Sequence, residues 1–275
     1  MQCPFCEHPK THKHGRTRKG VQRFKCPLCH QTFTDTIDTL YYRRQVSPEE
    51  VHTILQSHCE GSSLRGVSRI SRRAYGTVVN IIRKASEKAQ MVHNQEVHSV
   101  DTDRVESDEL WSFVKKQKYV LPKEIDVGDC WIGVTIAEDS GLILSARIGK
   151  HTDKFLEELV CSTEGKTDCF EWYSDGWSAY ERVLADWVTL WVGKAGTQKL
   201  ERTNGTLRGQ VGRWHRRQYK FGKVWEQSKV TLRLVVSYFN WIWVNSWTKD
   251  TAAERAGFAI NAWSWNDFAT YPTLL

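Results

Sequence analysis

The sequence predicts a multidomain α+β chain in which a small metal-stapled module and a set of short helices precede a mixed α/β domain. Three observations lead there. The first block holds two Cys-x2-Cys pairs and too few apolar residues to form a core. Residues 47–90 follow a helical period with recognisable end signals, and past residue 98 the period changes to that of strands and then to α/β alternation. A length of 275 residues with 40% hydrophobic content is enough for two or three modules. The expected division is residues 1–40, 45–92 and 98–248, with 249–275 as a C-terminal tail.

In the first block, Cys3-Pro-Phe-Cys6 and Cys26-Pro-Leu-Cys29 stand nineteen residues apart. Four thiolates at this spacing close a tetrahedral shell around structural Zn2+, with sulfurs about 2.3 Å from the ion. A redox dithiol would need a thioredoxin-like βαβ context, which is missing here. His8, His12, His14 and His30 are expected to be exposed polar residues, because four cysteines already fill the shell. Between the pairs, basic residues alternate with Val21 and Phe24, as in a ribbon hairpin that lays one face on phosphates, so the block reads as a zinc ribbon. Cys59, Cys130, Cys161 and Cys169 are scattered and expected to be small buried core residues.

The second block begins at "SPEE", an N-cap serine followed by proline and first-turn acids, leading into "VHTILQSHC". "EGSSLRGVSRI" predicts a second short helix. "SRRAYGTVVNIIRKASEKAQ" predicts a third, capped by Ser71 and apolar at Val78, Ile81, Ile82 and Ala85. A tight turn before a basic third helix suggests a helix-turn-helix. Its recognition helix is expected to begin near Arg72, with Arg72, Arg73, Tyr75 and Thr77 as groove and phosphate contacts.

From residue 98, strands in "RVESDELWSFVKK", "CWIGVTIAED" and "GLILSARIGK" precede a helix in "TDKFLEELVCST". A strand in "CFEWYSDG", a helix in "WSAYERVLAD" and a strand in "WVTLWVG" follow. The order β-β-β-α-β-α-β is that of a ribonuclease H-like α/β domain with a mixed sheet and helices on both faces. Such a site takes one carboxylate from the middle of the first strand, one from the end of the fourth and one from a late helix, and holds two Mg2+ ions through hard oxygen ligands. Asp108 sits mid-strand in "VESDELWSFV"; Asp101, Asp103 and Glu106 compete nearer its start, while Glu109 is expected on the opposite face. Asp175 ends the strand "FEWYSDG", where α/β sheets place their sites, although it could also serve as an N-cap for the helix after it.

Charge is partitioned along the chain. Residues 1–98 hold sixteen Lys/Arg against eight acids, residues 99–193 ten against nineteen, residues 194–233 eleven against two, and the remainder is near neutral. An acidic block between basic ones suits polyanion binding around a carboxylate-lined site. Residues 193–223 carry nine Lys/Arg and His215 but a single acid, Glu201. If residues 199–218 form one helix, Leu200, Leu207, Val211, Trp214 and Gln218 make a stripe that packs on the sheet. Glu201, Asn204, Arg208 and His215 would then line its edge, with Arg202, Arg213, Arg216 and Arg217 facing outward. Glu201 also suits the helix dipole as a first-turn acid, worth about 0.3–1 kcal/mol. No apolar run follows Met1. The longest one, "LRLVVSYFNWIWVNSW", is shorter than a membrane span and interrupted by Arg233, Ser237, Asn240 and Asn245, so the expectation is an intracellular protein without a membrane partner.

The cysteine pairs, the helical block, "SDELW", "YSDGWSAYE", "LERTNGTLRGQVGR" and the tail "TAAERAGFAINAWSWNDF" together resemble, in order and spacing, the insertion-sequence-one family of transposases. The most specific feature is "SDGW" followed, twenty-six residues after its Asp, by "ER.N..LR". The resemblance implies an Asp-Asp-Glu triad at Asp108, Asp175 and Glu201 on a ribonuclease H-like fold, with Arg202, Asn204 and Arg208 as the polar and basic positions that follow the Glu. It implies structural Zn2+ and two catalytic Mg2+ ions, for which Mn2+ can substitute. The implied partners are double-stranded DNA, as element terminal inverted repeats and target, and a second copy of the chain in a homodimer or larger synaptic complex. The implied setting is cytoplasmic and nucleoid-associated. The implied reaction is 3′-end cleavage and strand transfer. A structure-selective nuclease of the same fold and a zinc-ribbon/helix-turn-helix regulator without catalysis are the alternatives.

Overall fold

The computed structural model describes residues 1–18, 20–115, 126–193, 196–214 and 221–273. Near the N-terminus, β1 (His12–Arg16), β2 (Gln22–Lys25) and β3 (Thr32–Thr34) form an antiparallel sheet in that order. Every residue of β1 is exposed, and the buried apolar cluster beside the sheet is limited to Cys3, Cys26 and Phe33, with Cys6, Phe24, Cys29 and Ile37 half-buried around them.

Three helices follow, α1 (Pro48–Cys59), α2 (Leu64–Ser71) and α3 (Tyr75–Glu96). Ser47 and Glu50 form the reciprocal capping box that "SPEE" calls for, and Ser63 caps α2. The third helix starts later than expected. Ser71 closes α2 by bonding back to the Val67 carbonyl (2.8 Å) instead of capping α3, and Arg72 takes a left-handed conformation (φ 54°) that stops the helix. Consequently α3 begins at Tyr75.

The larger sheet comprises β4 (Val105–Val114), β5 (Gly128–Ala137), β6 (Ile143–Gly149), β7 (Glu171–Ser174) and β8 (Thr189–Val192) in the order β6-β5-β4-β7-β8. The first three strands pair antiparallel, whereas β7 runs parallel to β4 and β8 parallel to β7, so the sheet is mixed as the element order predicts. Between them lie α4 (Asp153–Glu164) and α5 (Ala179–Val183), the latter shorter than "WSAYERVLAD" suggested. After β8 come α6 (Gln198–Gln210), a 3-10 turn at Gly212–Trp214, and α7 (Trp225–Ser237), which continues into a π-helical turn at Tyr238–Ile242. Two short helices, α8 (Ala252–Arg255) and α9 (Trp265–Thr270), close the chain. Among the described residues no helix is long and apolar enough to cross a membrane.

Apolar residues fill both faces of this sheet. One face buries Leu156, Leu159 and Tyr180 against Val105, Leu144 and Trp172. The other joins Leu110, Ile132 and Val134 to α6, α7 and α9 and, without interruption, to Val51, Ile54 and Leu55 of α1 and Ile81 and Ile82 of α3. The helical block therefore shares a core with the sheet. Gly61 (φ +88°), in the α1–α2 turn, sits so close to the end of α6 that a Cβ there would lie 2.2 Å from the Gln210 carbonyl oxygen. At the α1–α9 seam, Trp265 stacks on Tyr238 (5.7 Å) and donates its indole N–H to Gln56 Oε1 (2.6 Å). Most tryptophans of the 225–247 segment serve packing: Trp225 and Trp241 are buried, while Trp247 is 90% exposed.

Two histidines are sealed in this core. His58 Nε2 lies 3.2 Å from Thr231 Oγ1, and His93 Nε2 donates to the Leu144 carbonyl (2.8 Å). Burial pulls their pKa values down from 6.5 to about 3 and about 4, helped at His58 by the nearby Arg213 charge. Between pH 6.5 and 4 the unfolded chain therefore binds more protons at these sites than the folded one, and stability falls as the solution is acidified, by up to roughly 1.4 kcal/mol per pH unit per histidine. Urea unfolding at pH 6.5, 5.5 and 4.5 should show this loss, with a shallower pH slope for His93→Gln than for the unsubstituted protein.

Candidate active site

β7 pairs with β4 only from Val105↔Trp172 to Ser107↔Ser174, where β7 ends. Beyond that point, at the level of Asp108 and Glu109, β4 has no strand partner on this side among the described residues, which leaves a notch there; at its far end Val114 bridges Gly222 in parallel. Asp175, the first residue past β7, emerges into it. Asp108, Glu109 and Asp175 bring carboxylate oxygens to within 4.8 Å of one another. Strand alternation does place Glu109 on the α5 face, as expected, yet because nothing flanks β4 here its carboxylate still reaches the cluster and joins the two aspartates. The sequence offered no sign of this beyond the four-residue length of β7.

Each acid is held by a different element. Asn204 Nδ2, one turn after Glu201 on α6, donates to Asp108 Oδ2 (2.8 Å). Tyr180 of α5 donates its hydroxyl to Glu109 Oε1 (2.6 Å) and lies 2.6 Å from Ser107 Oγ. Asp175 Oδ1 accepts from the Trp177 backbone N–H (3.0 Å), so its capping role and its place in the cluster coexist. Burial pushes Asp108 above the ordinary carboxylate range, Asn204 opposing and Asp175 adding to the effect. Burial pushes Glu109 up to about 8, with the charges of Asp108 and Asp175 contributing. Beside Asp175, the His151 ring is stacked between Trp177 (3.7 Å) and Trp131 (4.2 Å).

Of the competing acids on β4, Glu106 is buried and accepts from the Leu200 N–H (2.6 Å), capping the first turn of α6 and fixing that helix against the strand. Asp101 and Asp103 are exposed ahead of the strand. Glu201 is exposed on the first turn of α6, and the structure does not bring it into the carboxylate cluster; Asn204 faces Asp108 instead.

The helix expected over 199–218 ends at Gln210, followed by the turn at Gly212–Trp214. Leu200, Leu207, Val211 and Trp214 are buried as the stripe requires. The early stop turns Arg213 inward, contrary to the outward orientation expected: it is half-buried and donates to the Gln227 carbonyl (3.3 Å), and burial lowers its pKa to about 10. Arg202 is exposed, and Arg208 is half-buried with its charge acting on Asp108. His215, Arg216, Arg217 and Gln218 lie outside the described residues. In the helical block Arg72 and Tyr75 are exposed and Thr77 half-buried, while Arg73 is paired to Glu50.

The four ribbon cysteines also bring their sulfurs to within 4.8 Å of one another. Cys3 and Cys29 sulfurs are 3.6 Å apart, and those of Cys6 and Cys26 3.5 Å. A tetrahedron with bonds of about 2.3 Å has edges of about 3.8 Å, so this donor set fits Zn2+. The hard oxygens of the carboxylate cluster fit Mg2+. The ribbon histidines stand apart from the sulfur cluster. Of the other cysteines Cys59 and Cys130 are buried and Cys169 is half-buried, whereas Cys161 is exposed, contrary to expectation, because its position on α4 faces solvent at the free sheet edge.

A family profile described as IS1 transposase matches residues 104–240, the span holding both aspartates and α6. This chain belongs to the IS1 transposase family. A curated relative, the insertion element iso-IS1N protein InsA of Shigella dysenteriae, is 26% identical over 87 residues, which are 32% of this transposase and 92% of that protein. Two solved structures are loosely similar. The catalytic core domain of BIV integrase is 13% identical and matches over 56% of this chain and 93% of that one, with a TM-score of 0.39. A simian T-cell lymphotropic virus intasome in complex with PP2A regulatory subunit B56 gamma is 12% identical and matches over 76% and 74%, with a TM-score of 0.41.

The Asn204–Asp108 bond makes a specific demand of this transposase. Asn204 is 1% exposed and its Oδ1 has no protein partner, so it is placed to orient Asp108. Asn204→Ala is expected to reduce DNA cleavage by about 10–100-fold, the usual effect of losing a hydrogen bond that orients a metal-ligating group. DNA binding should remain within about twofold in a mobility-shift assay, and Asn204→Asp should not restore cleavage because it sets a second carboxylate against Asp108.

Proposed function

We propose that this transposase binds the terminal inverted repeats of its element and catalyses metal-dependent 3′-end cleavage followed by strand transfer into target DNA. The observation that carries this reading is the notch beside β4, where Asp108 and Asp175 converge at the foot of a helix bearing Arg202 and Arg208. Mg2+ held by these carboxylates would supply activation of the attacking oxygen and charge stabilisation of the leaving one. The chain's own groups do the rest. Glu106 anchors α6, Asn204 orients Asp108, and Tyr180 with Ser107 holds Glu109 beneath the cluster. Arg202 and Arg208 would seat the phosphates that flank the scissile bond. In this reading Glu201, matched by motif, completes the Asp-Asp-Glu set from the same helix once DNA and metal are bound.

The helices α1–α3 serve as a helix-turn-helix, with Arg72, Tyr75 and Thr77 at the exposed start of α3 meeting the major groove. Arg73 is given a different role: its bond to Glu50 ties the α2–α3 link to the cap of α1 and shapes that surface. The ribbon adds phosphate contacts from the exposed basic strand β1. Two element ends react together, which requires at least a dimer on DNA.

Joining of a pre-cut element end, supplied with its 3′-OH, to a target plasmid in Mg2+ tests the reading. Strand-transfer products are expected; end cleavage without any joining would leave a nuclease of similar architecture as the better description.

A further inference from the structure

A second cationic site lies away from the carboxylate notch. β6 is an edge strand, and along its free edge a groove of about 660 Å³ opens between α4 and α7. Arg147 of β6 and Arg233 of α7 line it. Both are half-buried, and among the described residues neither makes an ion pair or a hydrogen bond. Burial disfavours the charge of Arg147, with the Glu158 carboxylate opposing that effect and the Arg233 guanidinium adding to it. Behind them a chamber of about 20 Å³ is lined by His93 and Ser145 as well as both arginines. The Ser145 hydroxyl and His93 Nδ1 are buried there without protein partners. Since His93 Nε2 donates to the Leu144 carbonyl, Nδ1 presents a lone pair, and the chamber has room for about one water to link it to the hydroxyl. Gln90 and Ser162 add neutral hydrogen-bonding groups at the mouth.

Like charges held half-buried with no carboxylate in contact are costly unless an anion joins them, and paired guanidinium forks match the oxygens of a phosphate. Glu157 and Glu158 also stand on the rim, where they disfavour a long polyanionic track and favour a single anionic group. In sheet register Arg147 lies level with Glu109 through Gly133, two strands away, or about 10 Å by strand spacing, with β5 between them. The groove is thus separate from the notch. We propose that this groove is a phosphate-binding site in which Arg147 and Arg233 clamp one phosphate group, either of a DNA backbone or of free phosphate.

Cys161, the only one of the eight cysteines that is exposed, lines the groove and reports on its occupancy. Alkylation of Cys161 by iodoacetamide would be followed by peptide mass spectrometry on the full-length zinc-loaded protein. One series contains inorganic phosphate, one a short duplex DNA, and one chloride at matched ionic strength. At least one of the first two is expected to slow Cys161 alkylation at least fivefold, with chloride inert; phosphate alone identifies a free anion as the occupant, and DNA alone a backbone phosphate. Arg233→Gln should weaken the protecting ligand at least tenfold, whereas Lys249→Gln, an exposed cation outside the groove's lining, should not. If Arg147→Gln fails to fold, Arg233→Gln carries the test by itself. Absence of protection by either ligand, equal protection by chloride, or unchanged affinity in Arg233→Gln would overturn the proposal.

Discussion

Replacing Asp108 or Asp175 with asparagine is expected to lower both DNA cleavage and strand transfer by at least about 10³-fold, the several kcal/mol that metal-ion stabilisation supplies to such a transition state. Binding of element-end DNA should stay within about twofold. Neither change should cost stability: Asp108 is held above the normal carboxylate range by burial and by Asp175, so removing one charge relieves repulsion, and the Asp108→Asn side chain retains an oxygen to accept from the Asn204 amide. A metal-free thermal midpoint that is unchanged or raised, together with lost activity, would mark the defect as chemical. The third carboxylate is where motif and geometry part. Glu201→Gln should lose activity on the scale of the aspartates, because the proposed site draws Glu201 in only when loaded. Glu109→Gln should be milder, about 10–100-fold, and should alter the pH profile. With its carboxyl raised to about 8, Glu109 keeps its proton at pH 7 and gains charge as pH rises through 8. The Mg2+ concentration needed for half-maximal cleavage should therefore fall between pH 7 and 8.5 in the unsubstituted protein and stay flat in Glu109→Gln. Full activity of Glu201→Gln would remove that residue from the site.

Both aspartates were legible in the sequence because strand position carries the information: Asp108 stands mid-strand in an apolar run, and Asp175 ends a short strand before Gly176. Less legible were features that depend on where pairing stops. Alternation correctly sends Glu109 to the other face of β4, but only the four-residue β7 leaves the open notch that lets its carboxylate meet Asp108. The basic segment after Glu201 carries a helical stripe through Trp214, and the stripe is buried as read, yet the helix ends at Gln210. Gly205, Gly209 and Gly212 in that stretch were the available warning, since glycine weakens helix interiors by about 1 kcal/mol each. Arg73 and Glu106 show a further limit. Position marked one as a DNA contact at the start of the third helix and the other as a competing acid near the start of the first strand, and neither position reveals that Arg73 pairs with the acid of a capping box 23 residues away or that Glu106 caps a helix 94 residues away. Pairings of that kind are set by tertiary packing and leave no periodic trace.

The larger stability effect belongs to the ribbon. Three short strands, one wholly exposed, surround only Cys3, Cys26 and Phe33 as buried apolar residues, far too little to offset the chain entropy of some forty residues without a crosslink or a metal. Structural zinc contributes on the order of 10 kcal/mol to modules of this kind. Chelation, or Cys26→Ser, is thus expected to unfold residues 1–40 completely. The unfolding should remain local, because the ribbon cluster is separate from the cores around the large sheet and the block meets them at its end, where Leu40 is buried in the larger core, its N–H bonds the Ala269 carbonyl (3.0 Å) and Lys88 bonds the Asp38 carbonyl (3.0 Å). Hydrogen exchange on the full chain should show protection vanishing in β1–β3 while β4–β6 keep theirs, and added Zn2+ should restore it in the chelated protein but not in Cys26→Ser. Because β1 carries exposed Lys13 and Arg16 toward phosphates in the proposed complex, the same treatment should weaken end binding and lessen its salt dependence, each lost phosphate contact lowering the slope of log K against log salt by about 0.9. A chelated protein that kept β1–β3 protected and bound DNA with an unchanged salt slope would show that the four sulfurs meet for some reason other than zinc.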